Sequence, residues 1–135
     1  MLTRAQIEAR VPHAGAMCLL DAVSAWDATR IDCEAAAPTP HHPLARDGGV
    51  PAVAAVEYAA QATAVHGALI EPDGGPRDGM LAKLSDVELA AGCIEGPLQV
   101  HAELVSHGAA GCMYRFAVHD AQRCCASGRL LVAFR

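Results

Sequence analysis

The chain has 135 residues, of which 53% are hydrophobic, 19% are charged and 4% are aromatic; this suffices for one well-buried core, so we expect a single domain over residues 1–135. The net charge is −5 and the Lys and Arg residues are scattered, so a nucleic-acid partner is not expected. The N-terminal segment carries Arg4, Glu8 and Arg10 and no apolar stretch, which predicts no secretory signal and leaves the cytoplasm as the expected location.

The N-terminal part of the chain predicts a short helix and two strands. Thr3 and Gln6 have the spacing of a capping box, which predicts an amphipathic helix from Thr3 to about Glu8. Met17–Trp26 is the first strand-like run. In Thr29–Ala36 apolar and polar residues alternate, which indicates a strand with one face in water.

The middle of the chain predicts a loop followed by a long helix. Three prolines and two glycines mark residues 38–50 as a loop. Pro51 then occupies a first-turn position, and the alanine-rich run that follows predicts a helix of about eighteen residues ending between Gly67 and Ile70. Because Glu57 lies within this apolar run, we expect a buried helix of a globular domain rather than a membrane span.

The C-terminal half predicts four strands after a turn-rich connector at residues 71–76. Residues 108–111 and 120–123 have the length of hairpin connections between them. One helix that is apolar on all sides, combined with strands that each offer one apolar face, predicts an α+β fold in which an antiparallel sheet curls around the helix. The predicted strands are Gly79–Leu89, Leu98–His107, Cys112–His119 and Cys124–Phe134.

The six cysteines predict neither a metal site nor a disulfide framework. They show no CxxC spacing, and the adjacent pair Cys124 and Cys125 suits neither zinc geometry nor an ordinary disulfide. Cys18, Cys33 and Cys112 lie in strand-like apolar patterns, so we interpret them as small buried hydrophobes. The sequence also lacks nucleotide-binding glycine motifs, and no cofactor is expected.

Glu57 is the residue that most suggests chemistry. Gln61 lies one turn further along the same helix face. A carboxylate in such an apolar helix either has a function or faces solvent along a thin polar stripe, and the helix pattern alone leaves both readings open. The preceding loop brings His41 and His42 towards the helix start. An imidazole base, a carboxylic acid and the N–H groups of a helix N-terminus suit proton abstraction next to a thioester carbonyl, with loss of a β-hydroxyl.

Three blocks of sequence follow one another in order: Val11–Asp21, Pro51–Ala62 and Gly79–Val87. They resemble the "LPHRYPFLLVD", "PGVLxxEAMAQA" and "FLAGIDxAR" segments of the bacterial (3R)-hydroxyacyl-acyl-carrier-protein dehydratases. Val56–Gly67 is more similar still to the small dehydratase-like proteins of aryl-polyene pathways. The resemblance covers nearly the whole chain and implies the hot-dog fold, a long helix wrapped by an antiparallel sheet.

The resemblance implies catalytic roles for two residues. Glu57 matches the family's catalytic carboxylate, and a loop histidine is the base. His42 is the favoured base, whereas His41 takes its place if the H-x-P pattern with Pro43 is what aligns. The family's "GHFPGxP" loop is altered here, because its glycines are absent and one extra residue separates His42 from Pro51.

The resemblance also implies four substrate-binding positions around the helix start: Pro51, Ala52, Val53 and Gln61. The helix N-terminus holds the developing enolate oxygen in the family. Ala52 stands where the family has a glycine, and its Cβ is expected to narrow the approach of the thioester. Two further histidines are interpreted as structural, His13 at a strand entrance and His66 in packing or at an interface.

The function implied is removal of water from (3R)-3-hydroxyacyl thioesters linked to an acyl carrier protein, giving trans-2-enoyl thioesters in fatty-acid or aryl-polyene type synthesis. A second reading is a non-catalytic hot-dog subunit that supports a partner dehydratase, suggested by the altered histidine loop. A third is a hot-dog thioesterase in which Glu57 activates water. A homodimer or a heterodimer with another hot-dog subunit is expected, since a lone curled sheet leaves a strand edge open.

Overall fold

The computed structural model describes residues 1–10, 17–71 and 79–134. Two helices and seven strands lie in these ranges, and a 3-10 turn at Ala52–Ala54 leads into the longer helix. The elements are β1 (Leu2–Thr3), α1 (Arg4–Glu8), β2 (Ala22–Trp26), β3 (Arg30–Ala35), α2 (Ala55–Ile70), β4 (Gly79–Leu89), β5 (Leu98–His107), β6 (Gly111–His119) and β7 (Cys124–Phe134).

The described strands form one antiparallel sheet in the order β1-β2-β3-β5-β6-β7-β4. Alternation decides which face is buried: on β6 every second residue, from Cys112 to Val118, is buried. Helix α2 lies against that face and contacts β3, β5, β6 and β7. The predicted α+β architecture, a central helix wrapped by an antiparallel sheet, is confirmed.

The predicted element bounds agree closely with the structure. β4, β5 and β7 have the predicted bounds, and β6 begins one residue earlier, at Gly111. The capping box is present, since the Thr3 hydroxyl accepts from the Gln6 N–H and the Gln6 side chain accepts from the Thr3 N–H. The prediction of a helix ending near Ile70 is also confirmed, although its first turn is the tighter 3-10 type.

One predicted strand is shorter than expected, because β2 begins at Ala22 and not at Met17. The Met17 carbonyl accepts a hydrogen bond of 2.7 Å from the Gln61 amide, and the Leu19 N–H donates to the Gln61 Oε1 over 2.8 Å. These backbone groups are therefore bound to α2 and do not join a strand ladder. The two-residue strand β1, which pairs with β2, was not predicted.

The core between α2 and the sheet contains the cysteines that were interpreted as buried, and the burial of Cys18, Cys33 and Cys112 is confirmed. His66 is also fully buried, as its predicted packing role requires. Its Nε2 lies 2.8 Å from the Asp27 carbonyl, and its Nδ1 lies 2.6 Å from the Tyr114 hydroxyl. A neutral imidazole satisfies both contacts, with Nε2–H donating to the carbonyl and Nδ1 accepting from the hydroxyl.

His66 makes the stability of the fold depend on pH. Burial lowers the pKa of His66 in the folded chain, so the unfolded chain takes up the proton first as the pH falls. The free energy of unfolding is therefore expected to decrease below about pH 6.5, by up to about 1.4 kcal/mol per pH unit. Urea unfolding between about pH 8 and about pH 5 measures this slope. His66→Gln should flatten it, whereas the exposed His119→Gln should not; equal slopes in the two variants would contradict the assignment.

β4 differs from the other long strands because it packs poorly against the helix. Among the described strands it lies at the end of the order and is bonded to β7 alone, and nine of its eleven residues are exposed. Most of the strand is therefore accessible to solvent. Four large apolar side chains of β4 are exposed by 40–49%: Met80, Leu81, Leu84 and Leu89.

Two sequence-based interpretations fall on residues that the structure does not describe. His13, interpreted as structural, lies outside the described residues, and so does most of the connector between α2 and β4. Within the described ranges, no helix is long and apolar enough to cross a membrane.

Candidate active site

Glu57 lies in the first turn of α2 and is half-buried. It lines a cavity of about 270 Å³ between this helix and strands β4, β6 and β7. The far wall of the cavity is mostly apolar and is formed by side chains of the sheet, among them Leu81, Cys112, Leu130, Val132 and Phe134. Glu57 thus contributes a carboxyl group to a mostly apolar space, which Gln61 and Thr63 also line.

Glu57 also lines a second, more open groove on the outer side of the helix start. Pro51 and Val53 form one side of this groove, and Leu84 and Leu89 of β4 form the other. Arg46 is the cationic residue that lines it. Among the described residues Glu57 alone lines both spaces. It therefore occupies the junction between an outer groove and an inner apolar cavity.

His42 is held against α2 by the residue next to Glu57. Its Nε2 lies 2.9 Å from the Tyr58 hydroxyl, and the two rings are stacked with 5.9 Å between centroids. His41, by contrast, is exposed. Burial lowers the pKa of His42 below its ordinary value, because the surrounding protein disfavours the charged imidazolium. His42 is therefore held as a neutral ring beside the helix start.

The hydrogen bonds of His42 define which nitrogen carries the proton. The Leu44 N–H donates to Nδ1 over 3.0 Å, so Nδ1 is the unprotonated nitrogen of the neutral ring. Nε2 then carries the proton and donates it to the Tyr58 hydroxyl. A basic role for His42 requires the bond from the Leu44 N–H to open, because Nδ1 holds the lone pair of this neutral ring and a general base must offer a free lone pair to the substrate.

The backbone N–H groups at the helix start differ in whether they are already hydrogen-bonded. Ala52 is buried, and its N–H donates to the Gly92 carbonyl over 2.9 Å. The Ala54 N–H donates to the Pro51 carbonyl over 2.9 Å. Within the described residues the Val53 N–H has no backbone acceptor. Val53, and not Ala52, is thus the candidate donor to a substrate oxygen at this turn.

Gln61 has a structural explanation for its position, in addition to lining the inner cavity. It is 2% exposed, and both ends of its amide are bonded to the backbone of the segment before β2. A buried amide with both groups satisfied fixes that segment to α2. The carbonyl and amino groups of Gln61 are consequently engaged within the protein.

Tyr58 is a site residue that sequence reasoning missed. Burial, reinforced by the charge of Asp21, raises the pKa of Tyr58 to about 12, so its hydroxyl keeps its proton at neutral pH. One signal in the sequence points to it: among the alanines of this helix it is the only phenol, and it directly follows Glu57.

Within the described residues no group of three His, Cys, Asp or Glu side chains is placed to hold a metal ion.

A family model for ApeP-like proteins, described as ApeP dehydratase, matches residues 5–134. The chain belongs to the ApeP-like dehydratase family. Among curated proteins no significant match is found. This membership agrees with the resemblance to dehydratases of aryl-polyene pathways found in the sequence, and it makes the chain a dehydratase-like protein.

Solved structures similar to this ApeP-like chain share its hot-dog fold. The dehydratase heterocomplex ApeI:P from Xenorhabdus doucetiae is 20% identical, with a TM-score of 0.81 over 100% of this chain and 92% of that one. A thioesterase from Staphylococcus aureus is 12% identical, with a TM-score of 0.65 over 84% and 92%. AziG from S. sahachiroi is 18% identical, with a TM-score of 0.64 over 93% and 97%.

Proposed function

We propose that this ApeP-like chain is a dehydratase subunit that removes water from a (3R)-3-hydroxyacyl thioester carried by an acyl carrier protein, leaving a trans-2-enoyl thioester. The observation that carries this proposal is the position of Glu57 at the junction of the outer groove and the inner cavity. A thioester that enters through the groove places its apolar tail in the cavity. Its C2 and C3 atoms then lie beside the Glu57 carboxyl group.

The proposed reaction needs one base and one acid. His42, once its Nδ1 is released from the Leu44 N–H, takes the proton from C2 on that nitrogen, and the Val53 N–H stabilises the negative charge that develops on the thioester oxygen. The C3–O bond breaks as Glu57 gives its proton to the departing hydroxyl, which leaves as water. The proton on His42 then returns to Glu57, and both groups regain their starting states.

A second candidate is a subunit that supports a partner's catalysis without performing it. The bonds from Leu44 to Nδ1 and from Nε2 to Tyr58 favour it, because they leave the ring of His42 no free lone pair in this arrangement. The similarity to a subunit of the ApeI:P heterocomplex supports such a pairing as well. In this reading the partner's site performs the chemistry.

Incubation with acyl-carrier-protein thioesters separates these candidates. The chain is tested alone and mixed with an ApeI subunit, using 3-hydroxyacyl and 2-enoyl thioesters, with mass spectrometry of the acyl group and an assay for free thiol. Interconversion by the chain alone, without release of thiol, is the result expected for the dehydratase. Activity found only in the mixture, and unaffected by Glu57→Gln in this chain, supports the non-catalytic subunit. Release of free thiol identifies a thioesterase.

We also propose that β4 is the edge through which this chain pairs with another hot-dog subunit. An edge strand of eleven residues with four exposed apolar side chains is a template for further pairing unless it is covered. A second copy or a different hot-dog subunit continues the sheet there. The groove beside Glu57 includes Leu84 and Leu89 of the same strand, so pairing at this edge also shapes the site.

We expect Leu84→Asp to weaken this pairing by ~10-fold or more in the dissociation constant, because it puts a charge in place of an apolar contact at the centre of the edge. Sedimentation velocity over a range of concentrations measures the effect. Val105→Asp is the matched control, since Val105 on β5 is 43% exposed and Leu84 is 40% exposed. A wild-type chain that stays monomeric at micromolar concentration, alone and with a partner subunit, contradicts the proposal.

A further inference from the structure

The inner cavity runs along one face of α2 and away from Glu57. The helix positions that line it after Glu57 include Ala60, Ala64 and Gly67, which follow at spacings of three and four residues and so share one face. From Glu57 to Gly67 the helix rises by about 15 Å, at 1.5 Å per residue. The cavity therefore has its carboxyl group near one end and Gly67 near the other.

The opposite wall of the cavity does not offer charged groups to a ligand. It is formed by β4, β6 and β7, and its lining side chains are apolar apart from the thiol of Cys112. On the helix side Gln61 and Thr63 also line the space, but their polar groups are hydrogen-bonded within the protein. An elongated space with a carboxyl group at one end and mostly apolar walls fits an unbranched hydrocarbon chain.

Gly67, on the helix side of the cavity, is a residue whose identity packing does not explain. Glycine weakens a helix interior relative to alanine, so its presence calls for a local cause. An added Cβ at Gly67 meets no described heavy atom within 4 Å, and its φ angle lies outside the left-handed region. Gly79, which also lines the cavity, is different, because a Cβ there comes within 2.9 Å of Val132. Gly67 therefore leaves open space and does not relieve a clash.

We propose that Gly67 sets the maximum length of the acyl chain that this subunit accepts. The inference rests on the proposed function, because it takes the reacting carbons to lie at Glu57. The acyl chain extends from there along Ala60 and Ala64 and ends where Gly67 leaves room. The substrate class is then an unbranched acyl thioester whose chain spans this distance.

Gly67→Leu and Gly67→Ala test the length limit. Leucine places a large side chain at the end of the cavity. Alanine adds only a Cβ but raises the helix propensity about as much as leucine does, so it controls for the change in propensity. With a series of 3-hydroxyacyl thioesters of increasing chain length, Gly67→Leu is expected to lower kcat/KM for the longest accepted chain by ~10-fold or more and to leave the shortest unchanged. Gly67→Ala is expected to keep the wild-type length profile.

A second readout does not depend on turnover. The shift in Tm produced by saturated fatty acids of increasing length reports binding in the cavity, and Gly67→Leu is expected to abolish the shift by the longest acids only. An unchanged length profile in both measurements overturns the role of Gly67. If no thioester of any length is turned over, the proposed function fails, while the shift in Tm still decides whether Gly67 limits chain length.

Discussion

Replacing Glu57 by glutamine is expected to lower kcat/KM for dehydration by ~10²–10⁴-fold, the usual contribution of a positioned general acid. The amide has the size of the carboxyl group and retains hydrogen-bonding capacity, but it has no proton to give to the departing hydroxyl. Because Glu57 is half-buried at the junction of the groove and the cavity, the variant is expected to fold normally. The assay follows hydration of a 2-enoyl thioester as well as dehydration, since both directions pass through the same transition state.

Glu34→Gln is the matched control for this change, because Glu34 is an exposed carboxylate on β3 that lines neither space. It should retain full activity. Circular dichroism and Tm of both variants establish that the fold is intact. Activity of Glu57→Gln within a few-fold of wild type would remove Glu57 from the acid role and leave the supporting-subunit candidate.

Replacing His42 by alanine is expected to reduce kcat/KM by ~10²-fold or more, whereas His41→Ala should cost little. His42 contacts α2 through Tyr58, and His41 is exposed. Because burial lowers the pKa of His42, the neutral base persists below the ordinary value of about 6.5. The acid limb of the pH profile of kcat/KM is therefore expected below that pH, and activity falls as the pH drops through it.

Tyr58→Phe distinguishes a base from a structural histidine. It keeps the stacked ring and removes the hydroxyl to which Nε2 donates. If His42→Ala acts only by disturbing this contact, Tyr58→Phe reproduces its loss of activity. Retained activity in Tyr58→Phe, combined with loss in His42→Ala, assigns the chemistry to the imidazole. A loss in His41→Ala alone moves the role to the neighbouring histidine, and no loss in either excludes a His–Glu mechanism in this chain.

Much of the fold could be predicted because its signals are local. Alternation of apolar and polar residues predicts which faces of β5 and β6 are buried, and the bounds of these strands follow from where the alternation begins and ends. The alanine-rich run likewise predicts the bounds of α2. The capping box of Thr3 and Gln6 is complete within four residues. The start of β2 was placed too early because its cause is distant: the side chain of Gln61 binds the backbone before this strand from 42 residues away.

The site was predictable only in part, for the same reason. The position of Glu57 in the helix was expected, but the two spaces that it joins depend on how far β4 stands from α2. The N–H of Ala52 donates a hydrogen bond to the carbonyl of Gly92, and no sequence pattern predicts that contact between residues 40 positions apart. Likewise, the ring of His42 is oriented by a hydrogen bond with Tyr58, and no functional role for Tyr58 was predicted from the sequence. Long-range hydrogen bonds, and not residue types, decide which groups remain available.

The position of β4 in the sheet also affects the order in which the chain can assemble. β4 precedes β5, β6 and β7 in the sequence, yet its partner is β7, the last of them. The three later strands form a meander of neighbouring pairs, which closes through short loops. β4 cannot form this pairing before β7 (Cys124–Phe134) has been synthesised. During synthesis its apolar side chains therefore stay in water until β7 has emerged. An unpaired strand with exposed apolar side chains favours aggregation of an incompletely folded chain, so this interval is the stage of synthesis at which aggregation is most expected.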